Sequence, residues 1–273
     1  MKQARGEWIC FIDGDDIIAP NLIFLYSDFL NSNFDICFIK HQEVRNEKMF
    51  DLKIKDTEIN VNINNKAISF EERDFQEFQY AAFNRDRKNS YDFHLIKPAT
   101  PCKLYRRDFV RKNEINFPEG IPTGEDSIFN LYCFRHAKRG VFIDIPVYFH
   151  RVWGGSVSKK YNPNAKDDFV LLNTYYKKYI NSDINPERFR EVYYERCVWS
   201  FGFCCLLDYC HVNNPNHYRK RKESFLSNLS GDFSISFNSV NLSAFRFQKS
   251  IIILANQKKI VLCCIYSLFF SRD

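Results

Sequence analysis

An apolar run, Trp8 to Ile12, ends in the carboxylates Asp13, Asp15 and Asp16. A run this short and apolar reads as a buried strand, and so much negative charge at its end makes sense where a cation sits. Carboxylates at the carboxyl end of a parallel strand lie where open α/β sheets bind ligands. Gly14, between the first two acids, lets the backbone turn and approach a ligand closely. Hard oxygen donors of this kind suit Mg²⁺ or Mn²⁺, which bind through one or two carboxylates plus substrate phosphates. The plainer alternative is that Asp15 or Asp16 caps a following helix.

The pattern after this strand alternates. Residues 20–32, opened by Pro20, read as a helix, and 34–44 as a second strand. The stretch 46–95 is polar and irregular, with "NVNINNK" a hairpin or loop and "FEERDFQEFQYAAFNR" a helix. "CKLYRRDFVRKN" reads as a short helix, a further helix starts at Glu125, and 140–152 reads as a strand. Strands alternating with helices predict an α/β sandwich around a mostly parallel sheet. From about residue 165 the spacing of apolar residues is helical only. The last clean apolar run, Ile260 to Phe270, falls short of the roughly 20 residues that span a bilayer. It reads as a packed terminal helix, with an interfacial membrane helix as the alternative.

Composition narrows the function classes. Hydrophobic residues make up 45% and aromatics 17% of the 273 residues, enough for a sizeable core. The net charge of +6 is spread among acidic residues, without the basic arm or aromatic–basic repeat of a nucleic-acid binder. The 10 cysteines show no Cys-x-x-Cys spacing, which argues against zinc knuckles and thioredoxin-like motifs. "MKQARGEW" has no apolar signal-peptide core. These features predict a reducing, cytoplasmic location, with the inner membrane face as the alternative.

A second acidic element, Gly124-Glu125-Asp126, sits at a loop-to-helix junction, where capping is again the plainer role. "CKLYRRDFV" precedes it and "FHRVWGGSVS" follows it. Together with "ARGEWICFIDGDD" and "INFPEG…GEDSIFN", these segments resemble, in order over about residues 4–158, the inverting family-2 glycosyltransferases of GT-A type. The resemblance implies an incomplete GT-A (Rossmann-like) domain over 1–160 and a helical extension over 161–273. It implies a metal, Mn²⁺ or Mg²⁺, on the diphosphate of a nucleotide-sugar donor, held by Asp13 and Asp15 with His150. Asp16, Arg151 and Lys103 would contact the donor. Asp126 would be the catalytic base, Glu125 would help position it, and a glycan or lipid-linked acceptor would receive the sugar. Peripheral membrane association would run through the C-terminal helix.

The family's opening strand–helix–strand unit, which binds the nucleotide base, has no counterpart before Asp13. The expectation is a truncated chain that is poorly soluble, binds donor weakly and lacks transfer activity alone. Among rivals, a haloacid-dehalogenase-type phosphatase needs a Thr or Val soon after the second Asp, but Asp16-Ile17 follow. It also needs a second acid four residues after Asp126, where Asn130 stands. An EF-hand loop fails because Phe24 occupies the bidentate Glu position. A non-enzymatic binding module or inactive remnant is the third reading.

Overall fold

The structure, a computed structural model, describes residues 3–30, 32–44, 67–84, 99–152, 160–242, 245 and 249–270. The hairpin or loop expected at "NVNINNK" and most of "VWGGSVS" lie outside the described residues. Two compact units divide the chain. One comprises Met1–Ala82, Asn89–Phe117 and Asp126–Trp153; the other comprises Phe83–Lys88, Pro118–Glu125 and Gly154–Asp273.

The first unit is built on one sheet. Its strands are β1 (Trp8–Cys10), β2 (Ile17–Ile18), β3 (Ile36–Val44), β4 (Ala67–Glu71), β5 (Lys103–Arg106) and β6 (Arg139–Arg151). The order is β1-β5-β3-β6-β2, with β4 also paired to β6. The α/β architecture is the expected one, but strand direction differs from the mostly parallel expectation. Among the described pairings only β3–β6 is parallel. Two of the four antiparallel pairings join β2 and β4 to β6, and the other two come from β5, a strand where the sequence predicts helix. β1 and β3 run the same way, as a strand–helix–strand unit should, and β5 inserts between them antiparallel to both. Pairing on both sides overrides the helical look of "CKLYRR", and only Arg107–Lys112 forms the helix, α3.

Helices α1 (Leu22–Leu30), α2 (Glu72–Phe83) and α4 (Glu125–His136) complete the unit. Phe38, on β3, is 1% exposed and is the hub of an aromatic core. Its ring lies 5.5 Å from Phe70, 5.7 Å from Phe78, 6.3 Å from Phe75 and 6.2 Å from Phe134. β4, α2 and α4 are thus fastened to the middle of the sheet through one side chain.

β6 is the longest strand and carries an irregularity against β3. Between paired positions β3 takes two steps from Ile39 to His41, while β6 takes five from Ile143 to Tyr148. Pro146, which has no N–H to give a ladder, sits inside the bulge. Before it β6 pairs with β4, and after it with β2.

The second unit is helical: α5 (Ala165–Asn181), α6 (Arg190–Cys204), α7 (Tyr218–Asn228), α8 (Asp232–Ser239), α9 (Lys249–Asn256) and α10 (Ile260–Phe270). A π-helical turn, Cys205–Tyr209, continues α6, closed by the Cys210 N–H on the Cys205 carbonyl at 2.8 Å. Among the described residues no helix is long and apolar enough to cross a membrane. Truncating Phe38 to Ala should cost about 3–5 kcal/mol, the usual range for a buried aromatic. Chemical denaturation followed by tyrosine and tryptophan fluorescence measures this.

Candidate active site

β1, β3 and β6 run in one direction, so their carboxyl ends share one edge of the sheet. The acidic loop after β1 and the pair His150–Arg151 at the end of β6 come to that edge. The loop closes in a tight turn, with the Asp16 N–H donating to the Asp13 carbonyl at 3.1 Å. Gly14 is not in the left-handed region, so the turn does not require glycine for its backbone. A Cβ there would enter open space.

Asp16 differs from its neighbours. Its Oδ2 accepts the Tyr148 hydroxyl at 2.6 Å and its Oδ1 accepts the Arg151 N–H at 2.9 Å. The Tyr148 oxygen also accepts the Asp13 N–H at 3.3 Å. Both oxygens of Asp16 are therefore occupied in fastening the loop to β6, whereas Asp13 and Asp15 are exposed residues. Sequence reasoning missed Tyr148, which looks like one more aromatic in an apolar strand.

Asp126 lies in the first turn of α4, two residues after Gly124, whose φ of +82° only glycine adopts readily. The Asp126 Oδ1 accepts the Thr100 hydroxyl at 2.5 Å, and its carbonyl accepts the Asn130 amide at 2.9 Å. Asn130, wholly buried, in turn accepts the Tyr105 hydroxyl at 2.8 Å. Thr100 precedes Cys102, a non-glycine residue with φ of 75°, a conformation that costs about 1–3 kcal/mol. The Ile39 N–H anchors the Cys102 carbonyl at 2.8 Å. Beneath the acidic loop, Phe11 packs edge-on against Tyr105, Phe117 and Phe129 at 5.9, 5.2 and 5.7 Å. β1, β5 and α4 are therefore held together by one aromatic cluster.

The acids are close enough to feel one another. Partial burial, and then the carboxylates of Asp16, Asp126 and Asp15, push the Asp13 carboxyl above its ordinary value, while His150 pulls it down. Asp13, Asp15, Asp126 and His150, singled out separately along the chain, thus share one electrostatic neighbourhood. The Nδ1 of His150 is shielded from solvent and has no hydrogen-bond partner among the described residues. No three His, Cys, Asp or Glu side chains form a ready-made metal cage among the described residues. Glu125 begins α4 and is half-buried.

Lys103 departs from its expected place on a donor. It is 1% exposed, its Nζ donates to the Ala99 carbonyl at 2.6 Å, and it stands 5.6 Å from the centre of the Phe38 ring. On β5, opposite Phe38, its ammonium is part of the core.

No protein-family model matches the chain. It is 22% identical over 205 residues to the poly(ribitol-phosphate) beta-N-acetylglucosaminyltransferase TarS of Staphylococcus aureus, covering 74% of this chain and 31% of TarS. It is 24% identical over 151 residues to a poly(ribitol-phosphate) beta-glucosyltransferase of Bacillus spizizenii, covering 55% of this chain and 20% of that protein. The putative glycosyltransferase EpsH of Bacillus subtilis is 21% identical over 269 residues, covering 96% of this chain and 71% of EpsH. The crystal structure of S. aureus TarS 1-349 in complex with UDP-GlcNAc superposes with a TM-score of 0.55 at 16% identity, over 99% of this chain and 69% of that one. The chain therefore spans a third or less of the two poly(ribitol-phosphate) enzymes. It shares with TarS a mixed α/β sheet followed by a helical region, and the relatives it resembles in sequence are named glycosyltransferases.

The electrostatics of Asp13 give a signed prediction. Its folded-state pKa is raised, so ionisation costs stability: the cost is absent below the ordinary value of 3.8 and grows as pH rises through the raised value. Asp13→Asn should raise the thermal midpoint at pH 7 and leave it nearly unchanged at pH 3. Differential scanning fluorimetry at both values tests this; an unchanged or lowered midpoint at pH 7 contradicts it.

Proposed function

We propose that this chain carries the metal-binding acids and the base of a glycosyltransferase that moves a sugar from a nucleotide-sugar, of the UDP-sugar kind bound in the TarS structure, to a surface glycan or lipid-linked acceptor. The observation that carries this reading is the gathering of Asp13, Asp15 and Asp126 at the carboxyl edge of β1 and β6. Two of these acids are exposed and crowded by like charge, and the third is oriented by a buried network.

The donor set fits Mg²⁺ or Mn²⁺ bound partly by a diphosphate rather than by a complete protein cage. Asp13 and Asp15 would hold the ion, and the Nδ1 of His150, without a hydrogen-bond partner among the described residues, would be a third donor. When bound, such an ion neutralises charge on a departing diphosphate. Asp126 takes the proton of the acceptor hydroxyl as its oxygen bonds to the anomeric carbon and the bond to the diphosphate breaks. The Thr100 hydroxyl fixes the direction of that carboxylate. Glu125 helps position acceptor or base. One base without a second nucleophile supports a single, inverting displacement.

Arg151 stands beside the loop, its main chain holding Asp16, and its guanidinium is assigned to the diphosphate. Asp16 and Tyr148 keep the metal-binding acids in place. Val261, Leu262 and Ile265 on α10 are 52%, 42% and 48% exposed, which supports peripheral contact with the inner membrane face.

Water-proton relaxation with Mn²⁺ and UDP detects even weak binding. Enhancement with the wild-type chain and its loss in Asp15→Ala are expected; equal enhancement in both overturns the metal assignment. UDP release from UDP-sugars in the presence of poly(ribitol phosphate) tests the base. Asp126→Asn keeps shape but not basicity and should lower turnover at least about 100-fold, in the range of general-base catalysis. Near-normal turnover in that variant leaves Asp126 a capping residue.

A further inference from the structure

The glycosyltransferase reading leaves unused a group of cysteines in the helical unit. Cys205 and Cys210 bracket the π-helical turn, while Cys263 and Cys264 lie on α10. None is in a disulfide. The Cys210 thiol donates to the Ile260 carbonyl at the start of α10 at 4.0 Å, one turn before Cys263 and Cys264. Cys205, Cys210 and Cys263 are buried, and Cys264 is half-buried.

Cys264 opens onto a cleft of about 410 Å³ lined also by Cys210, Val212, Tyr218, Arg221 and Val261. Arg221 reaches into this cleft. Its Nη2 lies 3.5 Å from the Cys264 Sγ, and its Nε donates to the Tyr209 carbonyl at 2.8 Å, so the guanidinium is aimed rather than loose.

We propose that Cys264 and Cys210 form a redox-modifiable thiol pair, in which a hydroperoxide oxidises Cys264 and Cys210 then closes a disulfide that ties α10 to the end of the π-helical turn. The neighbouring Cys210 thiol lowers the Cys264 thiol most; partial burial opposes this, and the charge and hydrogen bond of Arg221 add to the lowering, so Cys264 is held below its ordinary range. The thiolate is the reactive form, and an accessible thiolate beside a cation is the usual setting of a sensor cysteine. Cys210 is held above its ordinary range by its bonds to Cys263 and Cys264 and then by burial, so it waits as a thiol.

The steps balance. The Cys264 thiolate attacks one peroxide oxygen, the O–O bond breaks, and hydroxide (or an alkoxide) leaves, giving a sulfenic acid. Peroxide is reduced and sulfur oxidised by two electrons. The Cys210 sulfur then attacks the Cys264 sulfur, the S–O bond breaks, and the proton of Cys210 leaves with the hydroxyl as water. Consuming the Cys264 thiolate also removes one of the partners that kept the proton on Cys210, which favours the second step. A general thiol reductant reverses the modification.

The test uses the reduced 273-residue chain and peptide mass spectrometry. Brief treatment with iodoacetamide should label Cys264 ahead of the other cysteines. Equimolar hydrogen peroxide should give a Cys210–Cys264 linked peptide pair lighter by two hydrogens and recoverable with dithiothreitol. In Cys210→Ser the same treatment with dimedone should leave an adduct on Cys264. Arg221→Gln should slow oxidation of Cys264 severalfold, while Arg221→Lys retains most of the rate. Labelling of Cys264 no faster than of the buried cysteines overturns the proposal. So does a bridge from Cys210 to Cys263, or oxidation of Cys264 to sulfinic acid in the wild type without a bridge. The iodoacetamide and peroxide readings on the wild type stand whether or not the variants fold.

Discussion

The first unit depends on the wedge that β5 drives between β1 and β3. Four residues perform four tasks. Lys103 buries its ammonium over the Phe38 ring, and Leu104 joins the apolar core. Tyr105 reaches Asn130 and so fixes the start of α4. Arg106 binds the Phe34 carbonyl at 2.8 Å and the Ser32 carbonyl, stacks 4.6 Å over the Trp8 ring and pairs with Glu7 at 2.6 Å. Without this strand β1 would have no partner among the described strands, and the acidic loop would have no platform.

Much of this was legible in the sequence where one residue's neighbours along the chain decide its state. The β1 run and the β3 and β6 strands are each built around an apolar stretch, and each falls within a residue or two of its expected place. The helix starting at Glu125 is announced by the glycine before it and the two acids that open it. β5 was not legible, because a strand of two cations around two apolar residues has no period of its own and is made by partners distant in sequence. The same holds for Lys103: its charge argues for a surface, and contacts distant in the fold, the Ala99 carbonyl and the Phe38 ring among them, make its burial tolerable.

The candidate site was legible as a list of acids but not as an arrangement. Asp13, Asp15 and Asp16 look alike in sequence, yet the fold separates them into two exposed carboxylates and one anchor. What divides them is Tyr148, more than a hundred positions away. Thr100 was invisible for a similar reason: a lone threonine between proline-flanked residues carries no pattern until Asp126 is brought to it. Like charges crowded at a surface cost stability, and the buried supports under them, Tyr105, Asn130 and the Phe11 cluster, offset that cost.

The bulge in β6 bears on how such a chain can change over time. Side chains in a strand alternate between faces, so an odd excess of residues over β3 sets which face Tyr148 presents beyond the bulge. Replacing a residue between Asp144 and Val147 alters a contact. Removing one changes the parity, exchanges the faces of Tyr148 and Phe149, and turns the hydroxyl away from Asp16. The acidic loop is therefore more vulnerable to length variation in a segment to which its acids make no hydrogen bond among the described residues than to changes of residue type there, and relatives that keep the loop should keep the residue count of that segment while its composition drifts.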